Sequence, residues 1–214
     1  SSQVGATQIS FLLGAERLID NYKKFGFSKP VSINFPSTSF GEINSREKIS
    51  DIEIATLGYG YGLTATPFQI SQAYAIFANN GIYHDFTIIK DSEFPIFSEQ
   101  IISESTAKDI LYSMKEVVDN GTGILAKSEN YDVSGKTGTT EKLRDGNYKS
   151  STYTASFIGI GPNPSNELTI FVNIDGLGSQ KYSGGSVAAP LFKKISNDVF
   201  SYMGYFNKWK YAKK

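Results

Sequence analysis

The chain has 214 residues, of which 40% are hydrophobic and 14% aromatic, enough to bury one full core. Its 21 basic and 21 acidic side chains cancel, so the clustered basic excess of a nucleic-acid surface is missing. With no cysteine and a single histidine, the composition strongly disfavours a zinc site and also disfavours a histidine-based catalytic triad. No stretch is apolar for the roughly 18 residues that a membrane span needs, and no signal peptide is visible. The sequence opens on Ser1 and not on methionine, which reads as an excised piece.

Ile9, Leu12, Leu13, Ala15, Leu18, Ile19 and Tyr22 recur mostly at helical spacings. Gly14 interrupts that pattern, and Lys23, Lys24 and Gly26 close it. Residues 28–52 are rich in Ser, Pro, Gly and charge and read as a surface excursion with little strand. Gly58, Gly60 and Gly62 then alternate with large residues, which suggests backbone lying close against something on one face. A dinucleotide fingerprint is not matched there, because neither Leu63 nor Ala65 is glycine. Thr66-Pro67-Phe68-Gln69 is a helix start: Thr66 caps, Pro67 suits the first position and Gln69 completes a capping box. Ile70, Ala73, Tyr74, Phe77 and Ala78 form the expected buried stripe, and Asn79-Asn80-Gly81 ends the helix. His84 follows in a loop-like segment and reads as a surface residue.

Residues 82–102 read as short strands and turns. A second amphipathic helix carries Ala107, Ile110, Leu111, Met114, Val117 and Val118, and stops at Asn120-Gly121-Thr122-Gly123. Three strand-like runs follow, around Lys136, over 153–160 and over 168–174, joined as an antiparallel meander. A glycine-rich loop leads to a last helix from about Ala188, with Leu191, Ile195 and Val199 as its apolar row. Helices on either side of an antiparallel sheet predict an α+β domain in layers.

Within this frame Ser134-Gly135-Lys136-Thr137-Gly138-Thr139-Thr140 is the stretch with chemistry in it. One cation, several hydroxyls and two glycines on a strand suit an anion and a second backbone alongside. Thr137 and Thr139, two apart, share a face. A phosphate loop is the weaker reading, because it needs glycine where Asn130 stands and a helix after the lysine. Taken alone, the stretch also fits an ordinary edge strand with a solvated lysine.

Context favours chemistry. The chain resembles the transpeptidase domain of class B penicillin-binding proteins, whose S-x-x-K, S-x-N and K-T-G motifs are spread along the fold. Ser1-Ser2-Gln3 resembles S-x-N, and Gly58 to Gly62 with Thr66 to Gln69 resembles the G-x-G and T-P-x-Q segments. Gly121-Thr122-Gly123 precedes Gly135-Lys136-Thr137-Gly138-Thr139, and Tyr182 to Gly185 with Ala188-Ala189-Pro190 closes the order. The wording G-Y-G and A-Y-A is most similar to the division-specific branch.

The resemblance implies the penicillin-binding transpeptidase and β-lactamase-like fold, truncated at its amino terminus. It implies acyl transfer through an acyl-serine, with no cofactor and no metal. The substrates would be peptidoglycan stem peptides, with β-lactams as ligands of the intact protein and divisome membrane proteins as partners. The domain would sit on the periplasmic side of the inner membrane, anchored by an amino-terminal helix outside this sequence. By the same resemblance Ser1 relays a proton and Gln3 holds a substrate amide. Lys136 supplies positive charge beside the base and attracts the substrate carboxylate. Thr137 and Thr139, flanking Gly138, bind that carboxylate, and the Thr139 N–H is half of an oxyanion hole, worth about 3 kcal/mol per donor.

Two features depart from the family pattern. Gln3 stands where the family has asparagine, one methylene further out. The S-x-x-K element belongs upstream of Ser1, so the nucleophile is expected to be absent from this chain. Ser45-Arg46-Glu47-Lys48 and Ser105-Thr106-Ala107-Lys108 match its spacing but fall in the wrong order, and Ser105 reads as helix-start chemistry. A β-lactamase or β-lactam sensor of the same superfamily is an alternative, as is a non-catalytic divisome-binding domain.

Overall fold

The computed structural model describes residues 2–31, 39–43, 49–88, 90, 97–142 and 152–205. The chain forms two compact units, Ser1–Ser103 and Glu104–Lys214.

The first unit is helical. Its first helical stretch divides at Gly14 into α1 (Gln3–Leu13) and α2 (Ala15–Lys24), because Gly14 takes φ 76° and ψ 163°, a backbone that side chains rarely permit. A helix the glycine alternation had obscured follows, α3 (Asp51–Leu57). Its signal was in the sequence: Ser50 and Glu53 form a reciprocal capping box. The alternating glycines divide by cause. A side chain on Gly58 would lie 1.9 Å from Ser10 Oγ, so there the close-approach expectation holds. Gly60 and Gly62 instead have positive φ, 91° and 81°, with no close neighbour.

Helix α4 (Pro67–Ala78) starts with the expected box of Thr66 and Gln69. Its buried residues are Gln69, Gln72, Ala73 and Ile76, a face rotated from the expected stripe, with Ile70, Tyr74 and Phe77 only half-buried. The reason is polar. Gln69 Nε2 donates to the carbonyls of Gly26 (3.3 Å) and Lys29 (3.1 Å), and its Oε1 accepts from the N–H of Gly41 (3.1 Å) and Thr66 (3.0 Å). Gln72 Nε2 donates to the His84 carbonyl at 2.9 Å. Changing Gln69 to leucine orphans those backbone groups in a buried site. A loss of about 2–3 kcal/mol is expected, read as a lower urea midpoint at constant slope. Strands β1 (Ile82–His84) and β2 (Ser98–Gln100) make a short antiparallel pair, and His84 is exposed. Ser45 to Lys48 lie outside the described residues.

The second unit carries the sheet. Helix α5 (Glu104–Asp119) buries Ala107, Met114 and Val118, but Ile110 is exposed. A 3-10 turn, Ile124–Ala126, leads to β3 (Ser134–Glu141), β4 (Tyr153–Gly161) and β5 (Leu168–Leu177), an antiparallel meander in the order β3-β4-β5. A π-helical turn, Gly184–Ala188, then runs into α6 (Ala189–Tyr202).

Helix α6 buries Ala189, Phe192, Ser196 and Phe200, one position round from the expected row, and Leu191 is exposed. Glycines in the sheet decide this. A side chain on Gly159 would sit 2.2 Å from the Phe192 ring, and one on Gly161 would sit 3.3 Å from the Phe200 ring. The bare backbone leaves room for the two large rings, and the helix turns to fill it. Phe157 and Phe192, with ring centroids 4.7 Å apart, stand at the centre of that core.

Candidate active site

Strand β3 is anchored at its start. Ser134 is buried, its Oγ donates to the Leu111 carbonyl of α5 at 2.9 Å, and it accepts from Asn163 Nδ2 at 3.4 Å. The register with β4 is unbroken from the Ser134–Ile160 pair to the Glu141–Tyr153 pair. The Lys142 N–H donates to the Thr152 carbonyl, which continues the same register. Antiparallel ladders alternate, so the backbones of 134, 136, 138 and 140 bond to β4. Those of Gly135, Thr137 and Thr139 therefore point away from β4, toward the open edge.

The pleat sorts the side chains as well. Gly135, Thr137 and Thr139 share the face with Ala155 and Phe157, while Ser134, Lys136 and Gly138 share the other with Ile158 and Ser156. Thr137 and Thr139 thus lie together, as their spacing predicts, and Lys136 starts from the opposite face. Its chain nevertheless curls to the edge, where Nζ donates to the Thr137 carbonyl at 2.8 Å. Cation, outward carbonyl and the outward Thr139 N–H converge on one margin of the strand. Burial lowers the Lys136 pKa below the ordinary lysine value.

Two flanking segments hold the threonine hydroxyls. Thr122 Oγ1 lies 2.9 Å from Thr137 Oγ1. The Gly184 N–H donates to Thr139 Oγ1 at 2.9 Å. A Cβ on Gly184 would fall 2.3 Å from the Gly138 carbonyl, and one on Gly185 would fall 2.4 Å from the Thr122 carbonyl. Only glycines let the π turn lie this close to the strand. The turn carrying Thr122 follows Asp119, whose carboxylate is bonded by Lys115 and lies 2.9 Å from Lys127 Nζ. Hydrogen bonds from Lys115 and then Lys127 hold the Asp119 carboxyl below the usual range. At the hairpin end Tyr153 stacks on Tyr182, centroids 4.0 Å apart.

Lys136, Thr137 and Thr139 are therefore brought together on one strand edge, while Gly138, expected beside them, turns its backbone to β4 and lies close against Gly184. Gln3 is exposed on the first turn of α1 in the other unit, and its neighbour Ser2 caps that helix by accepting from the Gly5 N–H at 3.1 Å. Ser1 lies outside the described residues. Ser105 is exposed on the first turn of α5, and Lys108 Nζ is 2.6 Å from the Glu104 carboxylate. Thr122 and the Gly184 N–H received no role from sequence reasoning. Their signal was the Gly-Thr-Gly at 121–123 and the Gly-Gly at 184–185, which name close approach but not its target.

A family model described as the penicillin binding protein transpeptidase domain matches residues 1–197. This chain belongs to the penicillin-binding protein transpeptidase family. Among relatives in the family, it is 34% identical to the peptidoglycan D,D-transpeptidase FtsI of Buchnera aphidicola over 95% of its own length and 36% of that protein. It is 33% identical to stage V sporulation protein D of Bacillus subtilis, over 95% of its length and 33% of that protein. The chain spans about a third of the length of these relatives. Family folds match closely. The apo transpeptidase domain of Burkholderia pseudomallei penicillin-binding protein 3 superposes with TM-score 0.88 at 30% identity, covering 97% of this chain and 63% of that one. Penicillin-binding protein 3 of Mycobacterium tuberculosis, solved with aztreonam, gives TM-score 0.87 at 27% identity, covering 96% of this chain and 50% of that one. The α+β fold with its antiparallel sheet is that of the family's transpeptidase domains.

Proposed function

We propose that this chain is the carboxy-terminal part of a transpeptidase domain and supplies the substrate-binding wall of a septal peptidoglycan D,D-transpeptidase. The observation that carries the reading is the open edge of β3, where the Lys136 ammonium reaches the outward carbonyl of Thr137 beside the outward Thr139 N–H. An extended peptide laid along that edge pairs with strand backbone, and its terminal carboxylate meets Lys136 and the Thr137 and Thr139 hydroxyls. The Thr139 N–H donates to the oxyanion as it forms.

The chemistry is a double acyl transfer. A serine Oγ from the S-x-x-K segment of the longer protein attacks the carbonyl of the penultimate D-alanine. The peptide C–N bond breaks, the terminal D-alanine leaves with a proton on its amine, and an acyl-serine remains. An amine of a neighbouring stem peptide then attacks, a new amide forms and the serine is released. β-Lactams enter by the first half of this sequence. Ser1 carries protons and Gln3 positions a substrate amide in that assembly. The longer protein faces the periplasm and works beside divisome membrane proteins. Among the described residues no helix is long and apolar enough to cross a membrane.

A fluorescent penicillin tests the reading. The natural full-length protein is expected to take one covalent label, and the 214-residue chain none. Stoichiometric labelling of this chain at Ser45 or Ser105 would place a nucleophile inside it and overturn the assignment.

A further inference from the structure

The pair of hydroxyls at Thr122 and Thr137 is chemically ambiguous as it stands, since either oxygen can be the donor across their 2.9 Å separation. A hydroxyl has one hydrogen to give and two lone pairs to accept with. If Thr137 gives its hydrogen to an anion at the strand edge, it has none left for Thr122. It can then only accept, and Thr122 must be the donor. The companion hydroxyl already shows this polarity, because Thr139 Oγ1 accepts from the Gly184 N–H and so keeps its own hydrogen for another acceptor.

The two threonines are thus served by two different segments, the turn after α5 and the π turn before α6. These segments touch each other where Gly185 lies against the Thr122 carbonyl. The Thr122 turn is in turn fixed by the clasp of Asp119 between Lys115 and Lys127. We infer that Thr122 is a positioning residue for carboxylate recognition: it donates to Thr137 in the bound state and so aims the Thr137 hydrogen at the ligand's terminal carboxylate. Chains of hydroxyls polarise one another, so the donation also strengthens the outgoing bond. This rests on the reading of the β3 edge as the site of a peptide carboxylate.

The test uses the 214-residue chain and needs no nucleophile. Amide resonances of Thr137 and Thr139 are followed while N-acetyl-D-alanyl-D-alanine, or the same dipeptide with its terminus amidated, is titrated in. Thr122→Val is expected to weaken the acid about fivefold, the worth of one hydrogen bond, and the amide by less, because its neutral carbonyl accepts a weaker bond than the carboxylate does. Thr122→Ser, which keeps the hydroxyl, should bind the acid as the unaltered chain does. Thr122→Val added to Thr137→Val should cost nothing further, because the donor then has no hydroxyl to aim. Undiminished acid binding by Thr122→Val, or equal loss of acid and amide, overturns the positioning role while the β3 site stands. An unaltered chain that binds neither ligand overturns the site itself, and the role of Thr122 falls with it.

Discussion

In the natural full-length protein, Lys136→Ala should reduce acylation by a β-lactam by roughly two to three orders of magnitude, the usual cost of removing one partner of a buried, hydrogen-bonded charge pair. The expectation follows from position. The Lys136 ammonium is the cation on the open edge of β3, it is held to the Thr137 carbonyl at 2.8 Å, and it is partly withdrawn from water. A carboxylate arriving there meets a charge that water screens poorly. The measurement is the second-order rate of labelling by a fluorescent penicillin, with thermal unfolding as a control for folding. Retained labelling would remove Lys136 from substrate binding.

The same lysine gives the prediction a pH axis. Burial lowers its pKa, so the folded protein releases the proton before an unfolded chain does. Carboxylate affinity, which needs the charged form, should therefore fade at a pH below that of an ordinary lysine. Stability moves the other way. Below the folded-state pKa the full cost of burying the ammonium is present. As pH rises through that value the folded state sheds the proton while the unfolded state keeps it, so this lysine's contribution to stability rises until the ordinary lysine value is passed. Lys136→Met should remove this contribution, seen as a difference in urea midpoint between the two proteins that changes with pH between the two values.

Gly159→Ala should prevent the second unit from folding stably. Gly159 pairs with Gly135 across β3 and β4, and the two bare positions lie under aromatic rings. A methyl on Gly159 would fall 2.2 Å from Phe192, and one on Gly135 would fall 2.3 Å from Phe157. Both rings are fully buried, so neither can swing aside without emptying the centre of the core. Overpacking of this kind costs about 1–3 kcal/mol where a core can relax and more where it cannot. Circular dichroism and amide exchange over β3 to β5 check it. Native-like exchange protection in Gly159→Ala would mean that the rings do not hold the sheet in place. Pairing Gly159→Ala with Phe192→Leu should recover part of the loss, because the shorter side chain vacates the contested volume.

These expectations separate what could be read from residues from what could not. The strand meander, the caps at Thr66 and Gln69, and the cation-hydroxyl strand at 134–140 are local matters. Their alternation, turn residues and spacing are written in consecutive positions. The helix at Asp51–Leu57 was also written locally, in Ser50 and Glu53, but the run of glycines after it drew the reading away. The buried faces of α4 and α6 were not local. Gln69 and Gln72 are inside because backbone groups far along the chain need partners, and the Phe192 row is inside because Gly159 and Gly161 leave space there. No pattern of apolar residues within a helix reports a vacancy in a distant strand.

The site divides along the same line. Residue order alone determined that this chain carries the Lys-Thr-Gly strand of a penicillin-binding transpeptidase, and that Thr137 and Thr139 share a face, because a strand's side chains alternate with period two. Tertiary structure decided which backbone groups of β3 are spent on β4 and which are left outward. It also decided that Lys136 reaches the edge from the opposite face, and that Thr122 and Gly184 hold the two hydroxyls. Those contacts join residues 15 and 45 positions apart. A hydrogen bond depends on where two groups meet in space, and only the packed sheet brings these together.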